Sequence, residues 1–136
     1  MSQRSLEEFG AYRKAKELFD LVVGDMNRVR REPLCFKLVS QPSGSADSIC
    51  ANIEEGHGRL SRAEYVRFLV ARGSARETRG RCLRMTSWLG EDVIRERTAL
   101  ADEIIGILTM TIERLRAQPS PATTGRIREE VTNDVY

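Results

Sequence analysis

The sequence predicts an all-α protein, built as an antiparallel up-down-up-down four-helix bundle. Three observations carry that reading. Apolar residues recur at steps of three and four along the longer segments. Proline and glycine stand between those segments, where a helix has to stop. Aromatic residues make up only 6% of the chain, and there are just four prolines to interrupt it. Four helices joined by short connections favour antiparallel neighbours.

The elements follow in order. The first helix is expected at about 9–30. Tyr12, Ala15, Phe19, Val22, Met26 and Val29 form its apolar seam, Glu7 and Glu8 suit its start, and Pro33 closes the segment. The second is expected at about 34–56. Ala46, Ile49 and Ile53 keep helical spacing, but Pro42 and Gly44 predict a kink or break before regular helix resumes. Gly56 and Gly58 then stop it. The third is expected at about 61–89, opened by a capping box with Ser61 at the N-cap and Glu64 three residues on, and ended by Gly90. The fourth is expected at about 92–117, with Ala101, Ile104, Leu108, Thr111 or Ile112, and Leu115 inward. Its acids Glu91 and Asp92 lie near the start and Arg114 and Arg116 near the end, as the helix dipole favours. Residues 1–117 thus form the bundle. Residues 118–136 are rich in Pro, Ser, Thr and Gly at first, lack an apolar face afterwards, and predict a flexible C-terminal tail.

At 136 residues the chain suits one domain with one modest core. No apolar run is long enough to span a membrane. The opening MSQRSLEEFGAYRK has no apolar signal-peptide core, which points to the cytoplasm. Cys35, Cys50 and Cys82 are an odd count without metal-binding spacing and predict reduced core thiols. The formal net charge of +2 conceals a local excess: residues 57–84 carry eight arginines against two acids.

Those arginines lie on a helix that is apolar on two sides. Phe68, Ala71, Ala75, Thr78, Cys82, Met85 and Leu89 form one stripe, assigned to the core. Roughly opposite lie Val66, Val70, Gly73, Glu77 and Trp88. A solvated helix has no use for a second apolar side, so Val66, Val70, Gly73, Ser74 and Glu77 are candidate subunit-interface residues. Between the two faces run Arg72, Arg76 and Arg79. With Arg59 and Arg62 they are candidate nucleic-acid contacts, since guanidinium groups bind phosphate and a symmetric assembly would multiply weak sites.

The block from Ala46 to Thr78 resembles the family of 23S rRNA intervening-sequence proteins, also described as four-helix bundle proteins. The family pattern runs roughly SIPANIAEG, then GR.S, an acidic–aromatic pair, FL, and GS..E. It is matched here by Ser48, Ile49, Ala51, Asn52, Ile53, Glu55 and Gly56; Gly58, Arg59 and Ser61; Glu64 and Tyr65; Phe68 and Leu69; and Gly73, Ser74 and Glu77. Cys50 stands where the family usually has Pro, and Glu54 where it usually has Ala. The segment QPSGSAD replaces a basic, apolar stretch. The resemblance covers about residues 9–117. It implies a cytosolic bacterial protein that assembles as a homopentameric ring, with no known enzymatic activity. Some members are encoded within ribosomal RNA gene insertions. A related branch, the accessory variability protein of diversity-generating retroelements, binds reverse transcriptase and nucleic acid.

Other chemistry finds little support. His57 is the only histidine, lies between two glycines, and has no ligand cluster in its neighbourhood. Glu54 and Glu55 point about 100° apart on a helix and do not converge on one atom. Glu55 is expected to be buried against an arginine at an interface, and Asn52 and Glu77 to hydrogen-bond between helices or subunits. GHGR lacks the spacing of a phosphate-binding loop. The stretch from Ser48 to Tyr65 is therefore read as a helix end, a tight turn and a capped helix start. No catalytic, cofactor or metal residues are predicted. The expected function is that of a non-enzymatic, self-assembling structural or adaptor protein. The alternative is a nucleic-acid-binding accessory protein that uses the third helix.

Overall fold

A computed structural model describes residues 3–33, 35, 38–59 and 61–117 of the chain. The expected tail, 118–136, lies outside the described residues. These residues contain five helices and no strand: α1 (Gln3–Glu8), α2 (Gly10–Val29), α3 (Ser40–Gly56), α4 (Ser61–Leu83) and α5 (Glu91–Ala117). The four long helices enclose one core. Each packs on the next, and α5 packs back on α2.

The boundaries depart from expectation in four places. A short α1 precedes the first long helix, separated from it by the extended residue Phe9. The second long helix begins at Ser40 instead of 34. Before it, Glu32, Cys35 and Leu38 each donate a backbone N–H three residues back, to Val29, Glu32 and Cys35, in a run of tight turns pinned by the buried Cys35. α3 also continues through Pro42 and Gly44 without the expected break. Pro42 is only its third residue, and first-turn N–H groups have no intrahelical acceptor to lose. α4 ends at Leu83, not near Leu89. There Thr86 Oγ1 donates to the Leu83 carbonyl at 2.8 Å, and Met85 and Trp88 close turns onto Cys82 and Met85. Met85 and Leu89 stay buried, so the apolar stripe outlasts the helix.

The core stripe read from α4 is buried along its whole length. In α2 the expected seam residues Tyr12, Ala15, Val22, Met26 and Val29 are buried, while Phe19 is only half-buried and Leu18 fully buried in its place. Among the described residues Phe68 is the largest fully buried side chain. Burying it stabilises the fold by about 1.5–3 kcal/mol.

Candidate functional site

The family-like block forms the contact between α3 and α4 and the turn joining them. Gly56 closes α3 where α4 approaches its backbone closely. A Cβ there would lie 2.7 Å from Arg67 Cβ and 3.2 Å from the Phe68 ring. Gly58 has φ 80°, a conformation that side chains other than glycine's disfavour. His57 caps α3, with its N–H on the Ile53 carbonyl at 2.9 Å. Its ring packs against Phe9, which stacks on Phe68. The side chain of Ser61 lies outside the described residues.

A ladder of hydroxyl and amide groups runs up this contact. Ser48 Oγ and Ser74 Oγ are 2.8 Å apart. Thr78 Oγ1 lies 2.7 Å from Ser45 Oγ and 2.8 Å from the Ser74 carbonyl, and its single proton serves one of them at a time. Asn52 Nδ2 donates to the Ser48 carbonyl at 2.9 Å, and Asn52 Oδ1 accepts from Arg67 at 3.2 Å. Ser74 is therefore buried against α3 and does not lie on the outward face with Val66, Val70 and Gly73. Glu55 is exposed in the single chain and pairs with Arg67 of that chain at 3.2 Å. Glu77 bonds Arg81 within α4, one turn on, and not a neighbouring helix. Glu54 accepts from Tyr12 at 2.7 Å, and burial, with that contact, pushes the phenol above its ordinary range.

The five candidate arginines separate. Arg72 donates to Thr109 at 3.2 Å and Arg79 pairs with Asp102 at 2.8 Å, so both tie α4 to α5. Burial and the nearby charge of Arg76 hold the Arg72 guanidinium below its usual value. Arg62 is half-buried. Arg59 and Arg76 are exposed, as is Arg84, and these three make no ion pair with any described residue. On the remaining outward face, Val66 is half-exposed and Val70 is 44% exposed. Gly73 has nothing within 4 Å of where its Cβ would stand, so that side of the helix is open and flat. Trp88 packs on the core instead.

One feature escaped the sequence reading. Asp25, on α2, and Arg97, on α5, are both buried and meet in a two-pronged pair, with Nε to Oδ2 at 2.7 Å and Nη2 to Oδ1 at 3.0 Å. Arg28 also donates to Asp25 and Arg97 to Glu96. The hydrogen bond to Asp25 raises the Arg97 pKa further. The available signal was a lone acid, Asp25, between Val22 and Met26, and Arg97 at the helical position that continues the seam from Ile94 to Ala101.

Among the described residues no group of three His, Cys, Asp or Glu side chains is placed to hold a metal ion. No helix among them is long and apolar enough to cross a membrane. The three cysteines are buried and unpaired with one another.

A search of curated proteins finds no match to the chain. A family model described as "23S rRNA-intervening sequence protein" matches residues 7–110, the span that holds all four long helices but for the last turns of α5. That span includes the Gly56 approach, the Gly58 turn and the α3–α4 ladder, and the chain belongs to the family of 23S rRNA-intervening sequence proteins.

Proposed function

We propose that the chain is a non-enzymatic, cytoplasmic bundle of up-down-up-down helices whose copies assemble, as a homopentameric ring, into a structural or adaptor protein. The observation that carries this reading is the outer face of α4. Val66, Val70 and Gly73 offer an apolar, flat strip to solvent on a helix whose opposite side already fills the core. Such a strip is stabilised when a neighbouring surface removes it from water. Antiparallel neighbours are supported by contacts that pair early residues of one helix with late residues of the next, such as Tyr12 with Glu54 and Ser45 with Thr78. Light scattering tests the assembly. About five times the 15.4 kDa chain mass is expected. A monomer at micromolar concentration would overturn the reading.

A second reading, binding of RNA or DNA, is favoured by the exposed Arg59, Arg76 and Arg84, which make no ion pair with any described residue. It is the weaker of the two because Arg72 and Arg79 already serve contacts to α5. Titration against structured RNA and duplex DNA at several salt concentrations tests it. Phosphate contact gives affinity that falls steeply with salt. Absent binding at low salt removes this reading.

A further inference from the structure

On the other side of the bundle a cleft of about 260 Å³ runs between α2 and α5, lined by Lys14, Glu17, Leu21, Glu96, Leu100 and Glu103. Its walls carry three glutamates against one lysine; Lys14 pairs with Glu103 at 2.7 Å and Glu96 with Arg97, while Glu17 makes no ion pair with any described residue. Leu21 and Leu100 provide apolar surface at its base. The outer face of α4 has the converse character: Val66, Val70 and Gly73 line up with Glu77, which is paired with Arg81, and the exposed Arg76 beside them makes no ion pair with any described residue. α2 and α4 each pack on both α3 and α5, so they sit diagonally and the two surfaces do not meet within one chain.

We infer that the α2–α5 cleft of one copy receives the outer face of α4 from a second copy. This deepens the assembly reading above and rests on it. Two copies of the α4 face set against each other would oppose arginines to arginines. Two clefts would oppose glutamates to glutamates. Only the unlike pairing joins opposite charges while covering both apolar strips. A contact between two different surfaces leaves the end copies with one of each unused, so it propagates from copy to copy, the kind of contact from which rings are built.

The test uses two variants of the full chain, each changed only at exposed residues. Val70→Gln with Arg76→Gln removes the apolar and charged contacts of the α4 face and keeps the cleft. Glu17→Arg with Glu103→Arg removes the cleft charge and keeps the α4 face. Each alone is expected to run at the 15.4 kDa chain mass with helix content unchanged. Mixed in equal amounts, they are expected to form a one-to-one dimer at twice that mass and nothing larger, because only one productive contact remains. Wild-type chain that is monomeric would overturn the assembly reading itself. Wild-type assembly with either variant still assembled alone, or with no dimer in the mixture, would overturn this inference and leave assembly standing.

Discussion

The α2–α5 contact and the α3–α4 contact solve the same problem with opposite chemistry. Both must place polar groups between packed helices. Between α2 and α5 it is a buried, two-pronged ion pair of Asp25 and Arg97. Between α3 and α4 it is a neutral ladder of Ser45, Ser48, Ser74 and Thr78. The ion pair depends on both partners being present, because either charge left alone in the interior is costly. The ladder tolerates loss better, since a hydroxyl can turn to a nearby carbonyl, as Thr78 can to Ser74 and Ser45 does to Pro42 at 3.1 Å. Charge therefore fixes one contact all or nothing, and hydroxyls hold the other by increments.

The difference can be broken most forcefully at Asp25. Asp25→Ala should lower stability by about 3–5 kcal/mol, measured by denaturant unfolding, because it strands a buried guanidinium. Asp25→Leu combined with Arg97→Leu should recover most of that loss, since removing both charges also removes both desolvation costs. A double variant as unstable as the single one would show that packing, not charge, holds α2 to α5.

On the α3–α4 side the largest effect should come from closeness rather than polarity. Gly56→Ala presses a methyl onto Arg67 Cβ and Phe68, and should cost about 1–3 kcal/mol. A neutral outcome would mean that the helices can part there without loss. Thr78→Val keeps the shape and removes one rung, and should cost about 1 kcal/mol. A loss as great as that at Asp25 would erase the contrast between the two contacts.

The last effect is absent at neutral pH and emerges only in alkali. Burial, with Glu54 nearby, pushes the Cys50 thiol up to about 11. Burial, with Asp25 nearby, does the same for Cys82. Above an ordinary thiol pKa near 9 the unfolded chain ionises these groups and the folded chain does not. The folded state then holds more protons, so stability falls as pH rises from about 9 towards 11. Denaturant midpoints across that range should drop, and should drop less in Cys50→Ala than in the parent chain. In the folded protein all three thiols should resist a maleimide, and react after unfolding.

Much of the architecture was legible in particular residues. The α4 stripe from Phe68 to Leu89 announced its burial because helical periodicity maps directly onto one face. The Gly56–His57–Gly58 turn was legible because glycine at a helix end has few other uses. The start of α3 at Ser40 and the end of α4 at Leu83 were not. Proline's effect depends on which turn it occupies, and that depends on where the helix begins. The candidate site was legible only as residue types. Spacing placed Arg72, Arg76 and Arg79 together, but it could not show that Thr109 and Asp102, about thirty residues and one helix away, engage the first and the last.

By itself the sequence determined the helices, their buried faces, the family and the concentration of positive charge on α4, because each is written in local periodicity and composition. Only the tertiary structure decided that Asp25 meets Arg97, that Ser74 turns inward while Gly73 stays open, and that an acidic cleft lies across the bundle from a basic, apolar face. These depend on which helices become neighbours and at what register. That choice belongs to the packed whole, where distant side chains exclude water from one another.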